Sequence, residues 1–264
     1  MYFYGKTDIG KMRSTNQDNF LTMRLCDNVV VFVLCDGMGG TNGGNIASSL
    51  AIRSFAEYIE QSLSEHIDVN TDLCNTEGLS FTSILADAVS AANKAVYSRA
   101  HESSELANMG TTLVAAIAVE DKLYVANVGD SRLYCLEGEE LTQLTHDHSY
   151  VQMLVDMGHI TKEEAANNPR KNILTRAVGT EPAVESDVME HILPSCGSYI
   201  FLCSDGLYNF ISDDELLEIM YTDSGDYDDE DYEAELAYKT EKLVDVANAN
   251  GGADNITIIL IKIL

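Results

Sequence analysis

The sequence predicts an α+β protein in which antiparallel β-sheets are covered by helices. Three features lead there. Short apolar runs rich in β-branched residues recur along the chain, the pattern of strands buried on both faces. Several neighbouring runs are joined by two-residue turns, as in antiparallel hairpins. The long helical patterns are not interposed between every pair of strands, which disfavours a parallel doubly wound sheet.

Taken in order, residues 29–35 (VVVFVLC) form the first continuous apolar run. Helical spacing follows at 45–65, where Ile46, Leu50, Ile52, Phe55, Ile59 and Leu63 make a stripe. It recurs at 81–100 with Ile84, Leu85, Ala88, Ala92, Ala95 and Val96. The runs 112–119 and 122–128 make a hairpin turning at Glu120-Asp121, and strands at 131–136 and 141–144 turn at Glu137-Gly138. Thr161 with Glu164 is a capping box in a shorter segment. A strand at 199–203 (YIFLC) precedes a helix at 213–220, opened by a second box, Ser212 with Glu215. A last helix at 232–248 and a buried strand at 256–263 (ITIILIKI) close the chain. With no repeat and only three prolines, one domain over 1–264 is expected.

Composition excludes several classes. The chain carries 43 acidic against 16 basic residues, a net charge of −27. Such a surface repels nucleic acid and anionic membrane. No apolar run approaches the roughly 18 residues of a membrane span, and the N-terminus lacks a signal-peptide pattern, so a cytoplasmic protein is expected. The six cysteines stand singly, without histidines at ligand spacing, and read as free buried thiols rather than a zinc site. The segment 222–235 has eight acids and no base and reads as a solvated loop, with docking of a basic partner as the sharper alternative.

Four aspartates share one context. Asp36 and Asp205 each end an apolar strand and precede a glycine; Asp130 follows the strand 122–128, and Asp254 precedes the strand at 256. Each carboxylate is thus fixed at the end of a core strand, as a multi-ion site requires. Glycine after Asp36 and Asp205 is expected to clear space for a carbonyl or a metal-bound water. Oxygen donors without thiolate or imidazole select Mg²⁺, Mn²⁺ or Ca²⁺. A calcium loop clusters its acids locally, whereas these converge only through the fold, which favours a catalytic site.

At these residues the chain resembles the type 2C metal-dependent protein phosphatases. The blocks are RSTNQDNF (13–20), CDGMGGTNGG with IAS (35–48), MGTT (109–112), NVGDSR (127–132), LTHDHSYVQMLVDMGHIT (144–161), NILTRAVG (172–179), FLCSDGLYN (201–209) and GGADNIT (251–257). The resemblance implies a four-layer αββα sandwich, two antiparallel β-sheets flanked by antiparallel helix pairs. It implies that Asp36 bridges two ions of Mg²⁺ or Mn²⁺, that the Gly37 carbonyl binds one, and that Asp205 and Asp254 bind the other. Asp130 with Asp205 matches the holder of a third ion, Asp18 the acid that orients metal-bound waters, and Arg13 the arginine that grips the substrate phosphate.

The implied activity is hydrolysis of phosphoserine and phosphothreonine in proteins, opposing a serine/threonine kinase, by a bacterial-type monomeric enzyme. Two departures stand out: Gln17 replaces a glutamate and removes an outer-sphere charge, and Met38 replaces a proposed leaving-group acid, histidine, leaving that proton to a metal-bound water. Residues 146–180 match the family's flap, a mobile segment that influences substrate choice. There His148 and His159 are open between substrate contact and loop packing, and Arg176 is expected to make a structural pair. Cys35 and Cys203 are expected in the core. A catalytically silent sensor and a calcium-binding interaction protein are the competing classes.

Overall fold

The computed structural model describes residues 1–68, 70–221 and 231–264, with the backbone alone described at 41–42. In chain order its strands are β1 (Tyr2–Asp8), β2 (Asp18–Cys26), β3 (Val29–Met38), β4 (Ile67–Asp68), β5 (Leu73–Cys74), β6 (Gly110–Thr111), β7 (Leu113–Val119), β8 (Lys122–Val128), β9 (Arg132–Glu137), β10 (Glu140–Gln143), β11 (Asp187–Ile192), β12 (Tyr199–Cys203) and β13 (Ile256–Lys262). The helices are α1 (Gly40–Leu63), α2 (Phe81–Ala100), α3 (Tyr150–Asp156), α4 (Lys162–Ala166), α5 (Asp205–Tyr208), α6 (Asp213–Tyr221) and α7 (Tyr232–Ala249).

Apart from a two-stranded antiparallel ribbon of β4 and β5, the strands form two antiparallel sheets. One runs β1-β13-β12-β9-β10; the other runs β11-β8-β7-β3-β2, with β6 paired to the end of β3. Successive side chains of a strand face opposite ways, and this alternation builds the layers. Val29, Val31, Val33 and Cys35 of β3 pack in a core with α1 and α2, while Val30, Phe32 and Leu34 enter a core shared with Ile200, Leu202, Ile259 and Ile261 of the other sheet. The alternate residues Ile256, Ile258 and Leu260 of β13 pack with Leu216, Leu236 and Leu243 of α6 and α7. The result is a helix–sheet–sheet–helix sandwich. Continuous apolar runs in β3 and β13 follow directly, because both faces of each strand are buried.

Most expected elements stand where periodicity put them. The differences have local causes. Helix α1 starts at Gly40, before the stripe, because its first turns hold no apolar residue to mark the period. The β9–β10 turn is Gly138-Glu139, with Gly138 at φ 57°. Strands β1, β2 and β11 and helix α3 carried no clear signal; their side chains are largely half-buried, so hydrophobic alternation is weak. Asp205 does not end a strand but opens α5, after Ser204. Both capping boxes form, Thr161 with Glu164 and Ser212 with Glu215.

Two composition-based readings need correction. Cys26, Cys35, Cys74 and Cys203 are free and buried, but Cys135 is half-buried and Cys196 exposed. Of the acidic run 222–235, residues 222–230 lie outside the described residues. Glu235 is not solvated: it is 6% exposed and pairs with Lys239 and Lys262 beside Tyr199.

The glycines that follow the two aspartates are there for packing rather than ligand access. A Cβ at Gly37 would lie 2.1 Å from the Gly44 carbonyl oxygen, and one at Gly206 would lie 1.9 Å from that of Asn255. Gly206→Ala is therefore expected to force α5 away from β13 and cost about 1–3 kcal/mol, read as a lower urea midpoint. An unchanged midpoint would show that the two segments are not held at this distance.

Candidate active site

The strand ends that carry the aspartates open on one rim of the sandwich. Asp36 lies near the end of β3, Asp130 between β8 and β9, Asp205 just after β12 and Asp254 just before β13. All four, with Arg13 from the β1–β2 loop, Gly37 and Met38, line a cavity of about 500 Å³.

Backbone pairing fixes these groups. The Asp36 N–H donates to Thr112 Oγ1 (2.9 Å), and its carbonyl accepts from Thr111 Oγ1 and the Thr112 N–H, both at 2.8 Å. Asp18 of β2 sits opposite Asp36 in register. Its Oδ2 accepts from Ser204 Oγ and Thr257 Oγ1, both at 2.7 Å, which ties the two sheets together below the cavity. Asn255 fastens the Arg13 loop to the same rim: its Nδ2 donates to the carbonyls of Ile9 and Thr15, and its Oδ1 accepts from the Gln17 N–H. Ser204, Thr257, Thr112 and Asn255 escaped the sequence reading. Their signal was position: Ser204 lies in FLCSDGLYN, Asn255 and Thr257 in GGADNIT, and Thr112 in MGTT.

The electrostatics are those of crowded, buried acid. Burial, reinforced by the charges of Asp18, Asp205, Asp130 and Asp254, holds the Asp36 carboxyl well above the usual carboxylate range. Burial raises Asp205 to about 8, with Asp130 and Asp254 adding to it. Burial and then the Asp147 charge raise Asp130 to about 7. Asp18 rises to about 6 by burial, although its two hydroxyl donors pull the other way. Asp18 Oδ1 and Asp205 Oδ1 are buried without a hydrogen-bond donor. Asp254 has a partner, Arg13, whose Nη2 lies 2.6 Å from Oδ2.

Uncompensated buried carboxylate is costly unless protons or cations neutralise it. The orphaned oxygens and the all-oxygen donor set fit hard divalent cations such as Mg²⁺ and Mn²⁺. Among the described residues, no three His, Cys, Asp or Glu side chains already stand together as a finished coordination shell. The acids face a shared space rather than one point.

The histidines of the flap segment do not enter that space. His148 is buried in packing: the Gly129 N–H donates to Nδ1 (3.1 Å), leaving the ring proton on Nε2 for Asp187 Oδ2 at 3.1 Å. Burial lowers its pKa, so the ring is neutral near pH 7. His159 is exposed. Arg176 makes the expected structural pair, with Asp187 at 2.8 Å. Cys35 and Cys203 are fully buried; burial raises both thiols, Cys203 to about 12.

A family model described as protein phosphatase 2C matches residues 10–238. The chain belongs to the protein phosphatase 2C family. With membership comes the enzyme class, protein phosphatase. This 2C phosphatase chain is 37% identical over 258 residues to the serine/threonine phosphatase stp of Listeria monocytogenes, covering 97% of this chain and 94% of that one. Its fold matches the serine/threonine phosphatase PstP/Ppp of Mycobacterium tuberculosis with a TM-score of 0.82 at 31% identity, over 99% and 98% of the two chains. It also matches the catalytic domain of serine/threonine protein phosphatase PstP in complex with two manganese ions, with a TM-score of 0.78 at 31% identity, over 98% and 96%.

The raised carboxyls give this 2C phosphatase a pH signature. Asp18, Asp130 and Asp205 keep protons to about 6, 7 and 8, whereas an unfolded chain releases them near pH 4. The native state therefore binds more protons in that window, and metal-free stability falls as pH rises through it. In chelator, Tm is expected to drop between about pH 5 and pH 8, and Mn²⁺ should restore more at the upper end. Asp205→Asn should flatten the slope. A chelated protein whose Tm climbs across the window would contradict the picture of repelling, buried acids.

Proposed function

We propose that this chain hydrolyses phosphoserine and phosphothreonine in proteins, with Mg²⁺ or Mn²⁺ held at the carboxylate rim. The observation that carries the reading is a set of buried, mutually repelling carboxylates around one cavity, with a guanidinium at its wall. When bound, two such ions supply an acidified water as nucleophile and neutralise charge on the phosphoryl oxygens.

The protein's own part is holding and orienting. Asp36, the Gly37 carbonyl, Asp205 and Asp254 are the ligands for two ions, and Asp130 with Asp205 for a third. Asp18, clamped by Ser204 and Thr257, orients water at the rim through its free Oδ1. Arg13 gives one donor to Asp254 and retains others for the substrate phosphate, which its planar fork suits. Gln17 donates to the Gly40 carbonyl and brings no charge where a glutamate would. Met38 lines the cavity without a transferable proton, so the leaving group takes its proton from solvent.

Among the described residues the cavity lining has no cysteine, and no histidine to activate the hydroxyl of Ser14, Thr15 or Thr112; Thr112 Oγ1 is further engaged by Ser131 and the Asp36 N–H. That favours direct attack by water over a covalent enzyme intermediate. No helix among the described residues is long and apolar enough to cross a membrane. We place the chain in the cytoplasm as a monomer, acting as one domain over 1–264 on substrates of a serine/threonine kinase.

Asp205→Asn is expected to abolish hydrolysis of both a chromogenic phosphate ester and a phosphopeptide while leaving the fold intact by circular dichroism. Near-normal rates in that variant, or wild-type activity that survives thorough chelation, would defeat the metal-dependent reading. Arg13→Ala should chiefly raise KM for phosphopeptides, by roughly ten-fold or more for a lost charge-assisted contact. An unchanged KM would remove Arg13 from phosphate binding.

A further inference from the structure

Asp130 lines the active cavity, but the link that carries it is held from behind. It follows Gly129, whose φ of 109° lies in a region that side chains other than hydrogen rarely allow. A rotation at Gly129 would swing the Asp130 carboxylate, and a ligand to a cation must stay within a fraction of an ångström of its place.

Both backbone polar groups of Gly129 are engaged by His148. The His148 N–H donates to the Gly129 carbonyl (2.9 Å), and the Gly129 N–H donates to His148 Nδ1 (3.1 Å). The His148 carbonyl in turn accepts from the Thr175 N–H at 2.8 Å. Thr175 adjoins Leu174, which lines the same cavity as Asp130. His148 is buried and is not itself a lining residue. It therefore joins two walls of the cavity without entering it.

The direction of the side-chain bond is fixed by chemistry. A backbone N–H can only donate, so Nδ1 must offer its lone pair and the ring proton must stand on Nε2. Asp187 enforces that choice, with Oδ2 3.1 Å from Nε2. Without Asp187, Nε2 would face Arg176 Nη1 at 3.2 Å. Arginine is a donor alone, so it would draw the lone pair to Nε2 and turn the ring proton toward Gly129. A tautomer selected at the start of β11 is thus felt at the residue before Asp130.

We propose that His148 is a positioning residue for Asp130: in its Nε2–H tautomer it holds the Gly129–Asp130 link in the conformation in which the carboxylate receives a divalent cation. This rests on the reading of the rim as a metal-dependent phosphatase centre.

The test combines calorimetric titration of the metal-stripped full chain with Mn²⁺ and nitrogen NMR of the histidine rings. Wild-type His148 is expected in the Nε2–H form, and Asp130→Asn defines the Mn²⁺ binding that needs Asp130. His148→Asn keeps an acceptor where Nδ1 stood and should bind Mn²⁺ as the wild type does. His148→Gln carries its amide out to the Nε2 position and leaves the Gly129 N–H unpaired. It should weaken the Asp130-dependent binding by roughly ten-fold, the scale for losing a group that orients a metal ligand. Asp187→Ala, at a side chain 35% exposed, should turn the ring to the Nδ1–H form and weaken that binding likewise. A merely structural role would lower the Tm of the two His148 variants without separating their Mn²⁺ affinities.

An Nδ1–H ring in the wild type, or equal Mn²⁺ affinity in His148→Asn and His148→Gln, would overturn the proposal and leave the phosphatase reading standing. Wild-type Mn²⁺ affinity in Asp187→Ala would do the same, even where His148→Gln fails to fold. A wild-type chain that bound no Mn²⁺ would instead bring down the metal-dependent reading, and this proposal with it.

Discussion

Mutual repulsion among carboxylates buried at one rim of a β-sandwich is the constraint on which the rest of this structure depends. Asp36, Asp130 and Asp205 are each taken out of water by the fold, and each raises the cost of ionising the others. A chain that keeps such a cluster accepts a penalty in the metal-free state. Divalent cations suit such a cluster, because they neutralise the carboxylates and remove the penalty.

Holding like charges together requires a scaffold that does not yield. The two sheets supply it by burying both faces of β3, β12 and β13, so that the strand ends are fixed by the most densely packed part of the molecule. Short polar ties complete the task. Ser204 and Thr257 from one sheet grip Asp18 from the other, and Asn255 fastens the Arg13 loop to the start of β13. Gly37 and Gly206 let backbones approach closely beside the aspartates they follow. Activity and stability thus draw on the same few residues.

A second cavity, which shares Asp130 and Asn172 with the first, has a different character. It is walled by α3 and α4, short helices with few buried residues, above a rigid Arg132–Tyr208–Asp147 floor.

Much was legible in the sequence because it is written locally. Apolar runs gave β3, β7, β8, β12 and β13, helical stripes gave α1, α2 and α7, capping boxes gave α4 and α6, and aspartates at strand ends gave the site. Edge strands β1, β2 and β11 were not legible, since their half-buried side chains leave little periodicity. The sequence by itself determined the α+β layering and the four aspartates, Asp36, Asp130, Asp205 and Asp254, that line one cavity. Only the tertiary structure decided that Glu235 is buried in an ion-pair network, that His148 packs against Gly129 and Asp187 rather than facing substrate, and that Asp254 meets Arg13. The reason is physical: local pattern reports which way a strand or helix turns its side chains, whereas burial and partnership are set by residues brought near from distant parts of the chain.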